Sequence, residues 1–352
     1  MRVIPPLTIT AAMLTSSSAT EPWAPSAYAG GTTYAFGDVV SVAADFTIYE
    51  SLAAGNVGNT PNISPTLWRV VGPTETAYNA ATTYAIGDTV SYVHRLYESL
   101  AGANTGNTPL ISPTWWLDVG ATNRWRMIDV QRNTATVFAS PFVIVLTPGE
   151  RLNSIALLGL VADSVAISVA GGGGSPLGEV YSYTEDLSTR EVMDWYDYFF
   201  EPFSTRESVI RFDIPPYTDA VFTVTITRTS GNVQCGSVVL GMYVYIGAAE
   251  HEAESDVLNF STVTRDDFGN SILVPRRNVP KTNQTVYMDK GRVNKVRALR
   301  DDLNATPAVW SALDDTTDEY AEALLILGIA KKFSINIAHP TEAIISLELE
   351  EV

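Results

Sequence analysis

The sequence has a single cysteine, few histidines and a deficit of positive charge. Cys235 stands alone among 352 residues, which excludes an intrachain disulfide framework and leaves stability to packing or oligomerisation. In a strand-rich stretch its thiol reads as a small buried hydrophobe. There are three histidines. His251-Glu252 opens as a zinc motif of the H-E-x-x-H type would, but position 255 is serine, and His94 and His339 fall in other domains. Neither a metal nor a cofactor is expected. Lysine and arginine total 22 against 39 acidic residues, a net charge of −17. That balance argues against duplex nucleic acid and against an anionic membrane surface, both of which call for a basic face. No apolar run approaches the ~18 residues of a membrane span, so membrane insertion is not expected. The N-terminal stretch has Arg2 as its one positive charge and no apolar core, so it does not read as a secretory signal. A Gly-rich phosphate loop, a serine elbow and a redox CxxC are all missing.

What is there begins with a duplication. Residues 77–123 repeat residues 27–75 with few changes. Tyr34 and Tyr84 lie 50 positions apart, as do Asp38 and Asp88. Tyr49 and Tyr97 lie 48 apart, as do Trp68 and Trp116, so the first copy has two extra residues in its central turn. Hydrophobic residues make up 46% of the chain and charged ones 17%, the balance of a folded protein. The length allows two or three domains.

The expected fold class is mainly β: two small β modules, a jelly-roll-like β-sandwich and a C-terminal α+β domain. Residues 1–22 read as an arm that adds a strand to another domain or subunit. The repeats occupy 23–75 and 76–123, each a set of short alternating strands punctuated by Gly-Asp and Asn/Gly/Thr/Pro turns. Residues 124–250 carry strand-like runs such as 139–146, 154–160, 164–170 and 220–228, with a flexible GGGGS stretch at 171–175 and a helix predicted within 188–200. Residues 251–352 read as an assembly or docking domain. A short helix is predicted within 290–304, a second from Thr306-Pro307, a third over 318–331, and a closing strand pair at 333–338 and 343–350, joined at His339-Pro340. The basic run 275–300 is expected to meet an acidic neighbouring subunit.

The repeat pattern, Tyr78, Tyr84, Gly87, Asp88, Val90, Tyr97, Pro109 and Trp116 in the second copy, resembles the chitin-binding type 3 domain, carbohydrate-binding module family 5/12. The first copy matches it at Tyr28, Tyr34, Gly37, Asp38, Val40, Tyr49, Pro61 and Trp68. Both copies have tyrosine where many members have a leading tryptophan. The resemblance implies sugar binding by rings that stack on a pyranose face. The candidates are Tyr34, Tyr84 and Trp115, the last replaced by Leu67 in the first copy, and tandem weak sites gain by avidity. Tyr49, Tyr97, Trp68 and Trp116 are expected in the core.

Together with residues 123–129, 195–202 and 213–217, the whole-chain pattern resembles tail-associated structural proteins of tailed bacteriophages. That implies a virion protein made in the host cytoplasm without a signal peptide. It would form a homo-oligomer in the tail beside other virion proteins and engage host cell-surface polysaccharide without catalysis. Two alternatives stay open. The repeats serve protein–protein contacts in a virion decoration or connector. Or the chain is a glycan depolymerase using Asp194, Asp197 or Glu201, which would share one face of a helix. Asp266-Asp267-Phe268-Gly269-Asn270 lacks calcium-loop spacing and reads as a solvated turn.

Overall fold

The computed structural model describes residues 1–171, 178–189, 194–200, 204–250, 253–265, 268–313, 321–337 and 340–352. Most of the GGGGS stretch, Glu201, His251-Glu252, Asp266-Asp267, the start of the helix predicted over 318–331, and His339 lie outside these residues. The chain is mainly β, built from antiparallel ladders with few helices.

Each repeat folds as a three-stranded sheet. The first uses Val39–Val42, Thr47–Ser51 and Trp68–Pro73; the second uses Thr89–Tyr92, Arg95–Ser99 and Trp116–Ala121. The last strand of each copy carries a bulge at the same place. Val71 is the extra residue before Gly72, and Val119 the extra residue before Gly120. The Asn/Thr/Pro loops end in single 3-10 turns, Pro61–Ile63 and Pro109–Ile111, each opened by proline after threonine.

The body is layered. A five-stranded sheet runs in the order Glu179–Asp186, Ser164–Gly171, Ala220–Thr227, Phe142–Leu146, Leu14–Ser17. It faces a three-stranded sheet of Ser208–Arg211, Ser154–Leu158 and Ser237–Gly241. Phe142, Ile144, Val224 and Phe222 from the first meet Ile155, Leu157 and Leu240 from the second in one core that also buries Cys235. The outer sheet alternates buried and half-buried residues, while Ser154–Leu158 and Ser237–Gly241 are buried throughout. The middle sheet is covered on both faces: Ala156, Leu158, Ile210 and Val239 turn away from the sandwich core and pack on Ile4, Val309 and Leu327 of a third layer.

That layer is an eight-stranded sheet. Its path runs Val244–Tyr245, Arg2–Ile4, Ala308–Ser311, Leu325–Asn336, Glu342–Glu351, Asn278–Asp289, Ala248–Ala249, and Glu254–Asn259 also pairs with Asn278–Asp289. Helix Val293–Asp302 covers its far side through Val296 and Leu299. The arm is therefore woven into the chain's own sheets, Arg2–Ile4 in this one and Leu14–Ser17 at the edge of the sandwich.

Three helix expectations need correction. The described part of 318–331 is a 3-10 turn, Glu322–Leu324, followed by strand Leu325–Asn336. A continuous apolar run such as Leu325–Ala330 suits a strand covered on both faces as well as a helix. Gly328 settles the matter, because a Cβ there would collide with the Glu350 carbonyl on the neighbouring strand. Thr306-Pro307 precedes strand Ala308–Ser311, which is buried throughout and anchored by the Trp310 indole donating to the Gly328 carbonyl at 3.0 Å. The helix expected within 188–200 is six residues long, Trp195–Phe200, with Asp194 exposed and Asp197 half-buried beside five exposed rings.

Candidate functional site

The repeats hold their aromatics in one geometry twice over. In the first copy the Tyr28 and Tyr34 rings stack at 5.8 Å, and Tyr34 meets Trp68 edge-on at 5.2 Å. In the second, Tyr78 and Tyr84 stack at 5.9 Å, and Tyr84 meets Trp116 at 5.2 Å. Each indole N–H donates to a loop carbonyl, Trp68 to Asn59 at 2.9 Å and Trp116 to Asn107 at 2.8 Å. The buried amides Asn56 and Asn104 tie the same loops to Ser51 and Ser99.

This arrangement corrects two of the three expected sugar-binding residues. Tyr34 is 8% exposed and Tyr84 is 6% exposed, and both lie inside the module cores with Val40 or Val90. Their hydroxyls close local loops, accepting from the backbone N–H of Ala29 at 2.8 Å and Asn79 at 2.7 Å. So small a unit, without a disulfide, has to place its large rings inside to exclude enough water. The Gly-Asp pair is structural too. Gly37 and Gly87 take φ near +88° and +87°, and Asp38 and Asp88 each accept a backbone N–H three residues back at 2.7 Å. Tyr49 packs in the first core, where burial and its hydrogen bond to Asp45 push the phenol up to about 12.

Trp115 is half-buried, packed on the outside of the second core beside Tyr78 and Tyr92, and the latter two rings touch edge-on at 5.6 Å. The first copy has Tyr28, Val42 and Leu67 at these positions. The second repeat therefore adds two partly exposed rings, Tyr92 and Trp115, to an otherwise shared scaffold. Tyr92 escaped the sequence reading. The signal for it is the same as for Trp115, an aromatic in one copy opposite an aliphatic in the other. Exposed aliphatics recur at matching positions on both copies, Leu52 with Leu100 and Ile63 with Ile111.

The repeats are clamped to the body by buried polar groups. Glu75, between the copies, accepts from the backbone N–H of Trp23 at 2.7 Å and of Asn123 at 2.5 Å. Burial raises its carboxyl above the ordinary value, against the pull of those bonds and of Arg126. Glu21 gathers the second copy: its oxygens lie 2.8 Å from His94 Nδ1 and accept from Thr122 Oγ1 at 2.9 Å and the Trp125 indole at 3.1 Å. Asn232 of the sandwich donates to the Gly37 carbonyl at 2.7 Å and to Glu50 at 3.2 Å.

Of the carboxylates considered for catalysis, Asp194 Oδ1 accepts the backbone N–H groups of Tyr196 and Asp197 at 2.7 and 2.9 Å, a helix-capping arrangement. No protein-family model matches this chain, and no curated protein matches it at a significant level.

Proposed function

We propose that this chain is a structural protein of a tailed-bacteriophage virion, placed in the tail, whose tandem repeats hold host cell-surface polysaccharide without catalysing a reaction. The observation that carries the sugar-binding part is the asymmetry between the copies. Tyr92 and Trp115 put half-exposed rings around the second core where Val42 and Leu67 stand in the first. A flat ring with one face covered and one free is the surface a pyranose stacks on. The rigid attachment of both copies supports a role as fixed, pre-organised contacts in an assembly. The test replaces the rings with the first copy's own residues. Tyr92→Val with Trp115→Leu is expected to fold as wild type and to reduce retention on host cells or a glycan array by about tenfold. Unchanged retention overturns the sugar-binding part.

A second reading keeps the virion and makes protein contact the main task. It is favoured by helix Trp195–Phe200, where Trp195 is 78% exposed and Tyr196, Tyr198, Phe199 and Phe200 face outward beside it. Such a cluster marks an interaction surface. Trp195→Ser with Phe199→Ser is expected to lower the amount of chain in purified particles by about tenfold if these rings seat the protein. Wild-type incorporation removes this reading.

A further inference from the structure

A cleft of about 320 Å³ opens where the two repeats meet the sandwich. Its walls come from three parts of the chain: Arg69 and Val70 beside the first bulge, Val119 and Gly120 at the second, and Arg126 and Thr134 from the body. The equivalent strands of the two copies thus face one space, which requires both copies to be docked.

Arg126 is 9% exposed, yet among the described residues its guanidinium makes a single long hydrogen bond, from Nη1 to the Val71 carbonyl at 3.4 Å. It lies flat against Gly72, where a Cβ would stand 2.7 Å from Nη2. Its remaining donors are not sealed inside the protein and open on the cleft, where an acceptor from outside the chain can reach them. Arg69 is better served, by Glu50 and by the Gln234 amide oxygen once that side chain is turned to face it. The exposed Asn133 side chain also stands on the cleft wall.

Charge decides the class of ligand. Glu75 and Asp129 act on Arg126, and Glu50 pairs with Arg69, so the charge of both guanidinium groups is already offset by neighbours outside the cleft lining. An added carboxylate or phosphate would meet net repulsion. A neutral polyol offers hydroxyl oxygens to Arg126 and Asn133 and a C–H face to Val70 and Val119. The volume is at the lower end for small-molecule sites, suited to one or two sugar rings. We infer that this cleft is a binding site for a neutral pyranose unit, separate from the ring face of the second repeat. The inference rests on the reading of the chain as a glycan binder.

The full chain, labelled with ¹⁵N in arginine and tryptophan side chains, reports both places at once when titrated with chitobiose, maltose and lactose, and with glucuronate as the charged control. The expected result is a saturable shift of the Arg126 Nε–H with a neutral disaccharide and none with glucuronate. Val119→Trp, or Val70→Trp from the opposite wall, fills the cleft and is expected to weaken that response by at least about tenfold while the Trp115 indole responds as before. A response at Trp115 with silence at Arg126 overturns the cleft and leaves the glycan reading standing. Silence at both overturns the two together. An Arg126 shift that survives both filling variants, or that favours glucuronate, also overturns the cleft assignment.

Discussion

Glu75 sits where the link between the repeats touches the sandwich, and its carboxylate is enclosed by the backbone of Trp23 and Asn123. Because burial lifts its folded pKa above the unfolded value, the folded state binds the proton more readily than the unfolded chain. Its contribution to stability is therefore fully present below the unfolded carboxylate range and is lost as pH rises through the folded pKa. Comparing wild type with Glu75→Gln isolates this term, since the other groups titrate in both. The melting temperature of wild type minus that of the variant is expected to be larger at about pH 4 than at about pH 8. A difference that is constant, or that grows with pH, refutes the assignment. Nothing in the sequence marks Glu75, because its burial comes from two segments 52 and 48 residues away. Trp115 was legible by comparison of the copies. Tyr34 and Tyr84 were recognisable as motif residues, but a motif does not tell which face of a ring is covered.

Most of the legible elements have one wet face, although Ser154–Leu158, covered on both, also reads as a strand. Ala220–Thr227 alternates strictly, and the repeats announce their strands by Gly-Asp and Pro-containing turns. The outer end of Leu325–Asn336 is legible, as the strand read at 333–338, whereas residues 325–330 read as helix because covering both faces there erases the period of two, leaving an apolar run that a helix also fits. The hairpin of the second repeat shows a different kind of mismatch. Its turn residues Val93 and His94 both take positive φ, 47° and 66°, where asparagine and glycine are usual. His94 is held there by Glu21 and by stacking on Trp125 at 4.3 Å, whereas Val93 is exposed and its side chain gains little from the site. A β-branched residue in the left-handed region is strained by about 1–2 kcal/mol. Val93→Asn is therefore expected to stabilise the chain by about 1 kcal/mol in urea unfolding. A loss of stability would mean that Val93 makes a contribution absent from its contacts.

The whole molecule is held together by its doubly covered middle sheet and by the first seventeen residues. Arg2–Ile4 closes a gap between Val244–Tyr245 and Ala308–Ser311, and Leu14–Ser17 extends the outer sandwich sheet. Val3 and Ile4 point to opposite sides of their sheet. Val3 enters the core under helix Val293–Asp302, and Ile4 enters the layer shared with Ala156, Leu158 and Val239. The sandwich and the C-terminal sheet each supply one wall of the same apolar layer. The two are then expected to unfold together, in a single calorimetric transition with equal calorimetric and van't Hoff enthalpies for that part of the chain. Ile4→Ala leaves a cavity between the layers and is expected to cost about 2–5 kcal/mol. Its effect separates two accounts of the assembly. If the layers form one cooperative unit, the variant moves the common transition downward intact. If the sandwich and the C-terminal sheet are independently stable bodies resting on each other, the variant splits the transition into two, and the view of a single layered scaffold holding both repeats in place fails with it.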